Sequence, residues 1–264
     1  MPTPAENYEA FMVPPLFAPW ADALAARARP APGAAILDVG CGTGVVARRL
    51  AAANGGGRIV GLDATPAMLE VARAAAAREG RAIEWRQGVA ERLPFAKAEF
   101  DLVTCQFALM FFTDRAAALA EMARVLRPGG RLAVSVFQPI GRHPFYVALD
   151  RAIRTRLGAS GVAEIFALGD AAALRGSLEA AGFGAVSVEE AAMDARFPSP
   201  AGFLAGEIEV DTAAIPSMQA LGPDARRQLA AALEQEMSGP LAAVTRGGEV
   251  VMPFHVLIAT ARRI

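Results

Sequence analysis

The sequence predicts an α/β fold: a doubly wound, seven-stranded, mostly parallel sheet with an antiparallel last strand and helices on both faces. Three observations predict it. Strand-like and helix-like stretches alternate about every 20–30 residues from Ala34 to Phe137, the pattern of repeated strand–helix–strand units. The runs 36–39 (ILDV) and 102–105 (LVTC) are largely apolar on both pleat faces, as buried parallel strands are. A length of 264 residues fits one large domain or one domain with an inserted cap.

The elements follow in order. Residues 1–33 are rich in Pro and Ala, but Phe11, Met12, Val13, Leu16, Phe17 and Trp20 make them too apolar for a free tail. A helical cover over the main domain is expected, ending at Pro30 and Pro32-Gly33. Strand 34–39 runs into a glycine cluster, and Val46, Leu50 and Ala53 line one face of the next helix, which stops at Asn54 and Gly55–Gly57. Strand 58–62 precedes Thr65-Pro66, an N-cap and first helical residue; Met68, Leu69, Ala72, Ala75 and Ala76 form the buried stripe and Gly80 the stop. Strands at 82–87 and 100–105 follow. Asp114 caps a helix that Pro128-Gly129-Gly130 ends, and 131–137 is the fifth strand. Asp170–Ala181 reads as a helix, 184–190 and 254–261 as the last two strands. Regular pairing of the last strand is expected only after Pro253. The stretch 198–248 reads as an insertion; with 141–169 it forms the cap elements of a domain covering 34–264.

Composition excludes several classes. Hydrophobic residues make up 54% and charged residues 20%, so the chain is not intrinsically disordered. A formal net charge of −1 argues against nucleic acid as a partner, because that affinity rests on phosphate neutralisation. No uncharged run exceeds 12 residues, too few to span a bilayer, and the start has neither a basic nor an apolar signal region. Two cysteines and two histidines support neither a disulfide framework nor a metal cluster. A soluble, cytoplasmic protein with no membrane or metal partner is expected.

The chemistry concentrates at Asp38-Val39-Gly40-Cys41-Gly42-Thr43-Gly44. A strand ends, the chain turns on glycines, and a helix starts. Glycines permit positive φ and close backbone approach, and the helix start offers free N–H groups. The dinucleotide fingerprint needs a third glycine where Val45 stands, and no Gly-Lys-Ser/Thr follows for a phosphate loop. Asp63 ends the second strand, beside the glycine loop in a parallel sheet, where a carboxylate can accept both hydroxyls of a ribose. Capping of the helix at Thr65-Pro66 is its alternative role.

Taken in order, DVGCGTG, GLDATPAML, GVAERLPF, FDLVTCQFALMFF and RVLRPGGRL resemble the class I S-adenosylmethionine-dependent methyltransferases over residues 34–137, in the small-molecule branch. The resemblance implies a Rossmann-like fold and S-adenosylmethionine as cofactor. It implies that Gly40, Gly42 and Gly44 border the methionine part, that Asp63 binds the ribose, and that Ala64 and Met68 lie beside the adenosine. Val89 and Ala90 flank the adenine, Gln106 and Phe107 lie near the amine and the sulfonium, and Tyr8 closes over the cofactor. The family commonly has an aspartate where this chain has Val89; valine cannot accept the adenine amine, which leaves Glu91 as a compensating acceptor. The implied function is methyl transfer to an O, N or C atom of a small, fairly apolar metabolite. A cofactor-binding protein without turnover and a nucleotide-dependent oxidoreductase are the alternatives.

Methyl transfer is an in-line displacement that alignment and a dry pocket accelerate, so no catalytic triad is required. Acceptor residues should come from the carboxyl ends of the fourth and fifth strands. That selects Met110 and Phe111 in the first loop and Phe145 and Tyr146 in the second. His143 is the candidate general base; His255, inside a strand, reads as a core residue.

Overall fold

The computed structural model describes residues 3–264, with the side chains of 211–214 and 216–217 outside the description. The first two residues of the expected N-terminal cover lie outside the described residues. In chain order the elements are α1 (Pro4–Phe11), a π-helical turn (Val13–Phe17), α2 (Ala18–Ala28), β1 (Ile36–Val39), α3 (Val45–Ala53), β2 (Ile59–Asp63), α4 (Pro66–Arg78), β3 (Glu84–Gln87), β4 (Phe100–Gln106), α5 (Arg115–Val125) and β5 (Leu126–Phe137). Then come α6 (Pro144–Leu157), α7 (Val162–Ile165), α8 (Ala171–Ala180), β6 (Phe183–Phe197), α9 (Pro200–Ala214), α10 (Pro216–Gln219), α11 (Pro223–Glu236), α12 (Ser238–Ala243), β7 (Thr245–Arg246) and β8 (Glu249–Arg263).

The sheet runs β3-β2-β1-β4-β5-β8-β6, seven strands as expected, with the two-residue β7 attached to β8. Strands β1 to β5 pair in parallel. β8 runs the other way. Gln138 donates to the His255 carbonyl while Arg262 reaches the Gly129 carbonyl, so numbers rise along one strand as they fall along the other. The crossovers place β1 and β4 side by side, where the strand order reverses; an open α/β sheet binds ligands outside the carboxyl ends of the strands at such a point.

Local signals explain most boundaries. Asp114 and Asp170 accept hydrogen bonds from Ala117 N and Ala173 N, closing the first turns of α5 and α8. Thr3 and Glu6 cap α1 reciprocally. Thr65 is the N-cap of α4 but makes no side-chain cap bond; Asp63 takes the Thr65 N–H instead.

Some boundaries differ from expectation. α5 stops at Val125 and β5 starts at Leu126, because Pro128 disfavours helical backbone at the residue before it. β6 runs to Phe197, beyond the expected 190, and as the last strand in the order it is paired along one edge only. β8 begins at Glu249, four residues before Pro253. The reason is a hairpin: Gly247 and Gly248 take φ of 59° and 86°, and Val250 pairs with Thr245. The expected insertion at 198–248 is built of α9, α10, α11 and α12 and ends in the β7–β8 hairpin.

The chain divides into two compact units. The sheet unit holds Phe17–Val136, Leu168–Ala191 and Val256–Ile264; the helical unit holds Met1–Leu16, Phe137–Ala167 and Ala192–His255. The segment 1–33, expected as one cover, therefore divides after Leu16. In the sheet unit Ile36, Leu37, Val60, Val103 and Val134 are fully buried, and Trp20 and Leu24 of α2 are buried with them. The helical unit has an aromatic core. Phe203 lies 4.6 Å from Phe197 and 5.2 Å from Phe145, and Tyr146 lies 5.3 Å from Phe166, centroid to centroid. No described helix is long and apolar enough to cross a membrane.

Two glycines in the 40–44 loop are required by packing. A Cβ on Gly40 would strike the Ala108 Cβ, and one on Gly44 would strike the Trp85 ring. A Cβ on Gly42 would meet nothing within 4 Å. Gly40→Ala and Gly44→Ala should each cost about 1–3 kcal/mol of unfolding free energy from overpacking, and Gly42→Ala clearly less, measured by urea denaturation.

Candidate cofactor site

The site is built on the glycine turn between β1 and α3. Gly40, Gly42 and Gly44 take φ of 65°, 53° and 82°. The turn is tied down at three points. Cys41 N donates to the Leu62 carbonyl at 3.0 Å, Gly44 N to the Cys41 carbonyl at 2.8 Å, and Gly42 N to Asp63 Oδ2 at 2.8 Å. Asp63 Oδ1 takes the Thr65 N–H at 2.9 Å. One carboxylate at the end of β2 therefore holds the turn and the start of α4 together. It makes the contact at the start of α4 that was its alternative role, and since a carboxylate has about four acceptor sites, two remain.

Sequence reasoning did not single out Trp85. Its ring lies where side chains on Gly44 and Gly61 would stand, so it buttresses the turn from β3. The signal was Gly61, a glycine inside a strand and the register partner of Trp85.

Three buried polar atoms of this region lack a hydrogen-bond partner among the described residues: Asp38 Oδ2, Thr43 Oγ1 and Gln106 Oε1. Asp38 is fully buried and its Oδ1 accepts from the Thr104 hydroxyl at 2.8 Å. Burial pushes its pKa up to about 7, against the Thr104 bond, which lowers it. Gln106 ends β4 and donates through Nε2 to the Phe17 carbonyl at 3.1 Å. Buried acceptors left open beside a glycine turn call for donors or a cation. A ligand that brings a ribose diol and an ammonium group fits this set: the open side of Gly42, the spare acceptor sites of Asp63, and Gln106 Oε1.

The other expected residues are distributed as follows. Ala64 is exposed and Met68 half-buried at the start of α4. Val89 is 47% exposed, Ala90 buried. Phe107 holds a strained φ of 48° and donates its N–H to the Ser135 carbonyl at 3.0 Å; its ring packs on Phe17 and Trp20. Met110 is buried, whereas Phe111 is 56% exposed. Glu91 is committed elsewhere: its Oε1 accepts from the backbone of Thr113 and Asp114 at 2.9 and 3.3 Å. Tyr8, His143, Phe145 and Tyr146 belong to the helical unit.

His143, expected as a general base, has its Nδ1 without a hydrogen-bond partner among the described residues and its Nε2 engaged. The ring is buried, 4.7 Å from the Phe166 ring, and its Nε2 accepts the His255 N–H at 3.0 Å. The lone pair that a base needs is already engaged. Burial lowers its pKa to about 4. His143 thus caps the backbone of β8, and His255 presents that backbone.

The glycine turn after β1, the carboxylate at the end of β2 and the strand order define an open α/β domain. Residues 37–134 match the family model described as a methyltransferase domain. The chain is 43% identical over 120 residues to a demethylmenaquinone methyltransferase of Deinococcus radiodurans, covering 46% of this chain and 50% of that protein. It is 40% identical over 114 residues to a ubiquinone biosynthesis O-methyltransferase of Hahella chejuensis, covering 43% and 46%. The chain spans about half the length of the curated relatives it matches. Among solved structures, a phosphoethanolamine N-methyltransferase of Haemonchus contortus, with S-adenosylhomocysteine bound, superposes with a TM-score of 0.61 at 18% identity, over 98% of this chain and 57% of that one. The similarity to methyltransferases is carried by residues 37–134 of the chain.

Asp63→Ala should weaken S-adenosylhomocysteine binding by about 1.5–3 kcal/mol, the usual worth of hydrogen bonds to a charged group, in a calorimetric titration. Gly42→Val should abolish binding, and because a β-branched residue fits a φ of 53° less well than alanine its urea midpoint should fall below that of Gly42→Ala. His143→Ala should cost about 1–3 kcal/mol of stability through the unpaired His255 N–H. A folded pKa of about 4 against 6.5 unfolded means the neutral ring stabilises fully above pH 6.5 and loses that contribution as pH falls toward 4. The stability gap between wild type and His143→Ala should therefore narrow over that window, measured by urea denaturation at several pH values.

Proposed function

We propose that the protein is an S-adenosylmethionine-dependent methyltransferase acting on an O, N or C atom of a small, fairly apolar metabolite in the cytoplasm. The observation that carries this reading is the turn held by Asp63, with its carboxylate only half used and the Cβ side of Gly42 open. The cofactor, when bound, supplies an electrophilic methyl on a sulfonium. Asp63 accepts the ribose hydroxyls, with Ala64 and Met68 beside the adenosine and Val89 and Ala90 along the adenine. Gln106 Oε1 accepts the amine, Phe107 lies beside the sulfonium, and Tyr8 closes over the cofactor.

Met110, Phe111, Phe145 and Tyr146 serve the acceptor, and 141–169 and 198–248 act as cap elements with the 1–33 segment. Apolar walls exclude water, and alignment of the in-line path supplies the acceleration, so the reading requires no base at His143. A net charge of −1 favours a small molecule over nucleic acid. Both cysteines are free thiols, in keeping with a reducing compartment. The two relatives named for quinone pathways favour an apolar, ring-containing acceptor.

A metabolite panel headed by quinone-type and phenolic compounds, incubated with methyl-labelled cofactor, tests the reading: label transferred to a member of the panel supports it. Cofactor binding without any transfer would point to a binding protein without turnover. Val89→Asp should tighten cofactor affinity by about 0.5–1.5 kcal/mol, the worth of one added hydrogen bond to the adenine amine. Equal or weaker affinity in calorimetry would place the adenine away from residue 89.

A further inference from the structure

The helical unit contains a carboxylate that neither the cofactor site nor the fold uses. Glu207, on α9, is only 3% exposed. The Tyr146 hydroxyl donates to it, and its Oε2 has no hydrogen-bond partner. Among the described residues it makes no ion pair. One turn earlier on α9, Phe203 packs on Phe145 at 5.2 Å and on Phe197 at 4.6 Å. The Tyr146 ring in turn lies 5.5 Å from Phe145, 5.3 Å from Phe166 and 5.6 Å from Phe254. The setting is an aromatic core with one open acceptor.

Such a group is costly. A buried carboxylate without a cation loses its hydration, and an acceptor without a donor loses a hydrogen bond. Burial raises its pKa to about 7, opposed by the Tyr146 bond. A leucine at 207 would remove the cost, and a glutamine would keep a bond to Tyr146 without the charge. The donor already present is a neutral phenol. A second neutral hydroxyl would complete the pair. A ligand cation would have to be stripped of its own hydration in the same aromatic setting.

We propose that Glu207 Oε2 anchors the hydroxyl of an otherwise apolar, aromatic acceptor, with Tyr146 holding the other carboxylate oxygen. Glu207 is thus a specificity residue for a phenol-type substrate. This deepens the proposed small-molecule reading and rests on it.

The test is equilibrium titration of the full chain with three probes: 4-ethylphenol, ethylbenzene and 2-phenylethylammonium. The wild type should bind 4-ethylphenol about tenfold or more tightly over ethylbenzene, as a hydrogen bond to a charged group provides. That preference should fall below about twofold in Glu207→Leu and shrink in Glu207→Gln, the variant that preserves the Tyr146 bond if leucine prevents folding. Tyr146→Phe should retain a preference for 4-ethylphenol. Equal binding of 4-ethylphenol and ethylbenzene to the wild type, a preference that survives in Glu207→Gln and Glu207→Leu, or strongest binding of the ammonium probe would each overturn the proposal. S-adenosylhomocysteine titration of the same samples separates the two readings. If the wild type fails to bind it, the methyltransferase reading fails; if the variants bind it as the wild type does, their folded cofactor site is intact and the probe result bears on Glu207 alone.

Discussion

The site depends on one carboxylate. Asp63 takes the N–H of Gly42 and the N–H of Thr65, and so ties the turn after β1 to the helix after β2. The turn has left-handed backbone at three positions, and the strain is held because its neighbours leave no alternative. Ala108 and the Trp85 ring fill the space beside Gly40 and Gly44, while the Cys41 N–H is fixed to β2. What remains open is the side of Gly42. A carboxylate with unused acceptor capacity and an open glycine face, held by parallel strands, are in place before any ligand arrives, as the proposed binding of a sugar hydroxyl pair requires. Preorganisation of this kind limits the ordering cost of binding.

Buried polar groups mark where the chain departs from a merely stable fold. Asp38 and Glu207 are both carboxyl groups buried without a cation, each with one oxygen on a hydroxyl and the other without a partner. His143 is buried too: its Nε2 is paired with a backbone N–H, its Nδ1 has no partner among the described residues, and its low pKa keeps it neutral. The first two lie on different units, Asp38 beside the glycine turn and Glu207 among the aromatic rings. A fold that retains an open carboxyl oxygen at both places loses stability there, which is the ground on which a ligand is proposed at each.

Much of this was legible in the sequence, for local reasons. Gly40 to Gly44 and Asp63 sit at strand ends, where backbone needs dictate residue type, and the strand–helix alternation from β1 to β5 follows from apolar periodicity over short windows. Long-range contacts were not legible. Trp85 supports the turn from a neighbouring strand, and only Gly61 hinted at it. His143 read as a loop base because its partner, the amide of His255, lies 112 residues away. α9 was not legible for another reason: it mixes Phe203, Leu204, Ile208 and Val210 with small residues, so apolar side chains occur on several faces and no one-sided stripe stands out. Glu207 read as an ordinary helix carboxylate, since burial follows from tertiary packing and not from spacing.

Amide resonances measure the central claim most directly. In a ¹⁵N–¹H spectrum of the full chain, the Gly42 and Thr65 amides report on the two hydrogen bonds to Asp63. Addition of S-adenosylhomocysteine should shift both resonances saturably, with matching midpoints, because a ligand that uses the spare acceptor sites of Asp63 alters the charge that each N–H faces. Saturable binding that leaves both amides unmoved would contradict the account.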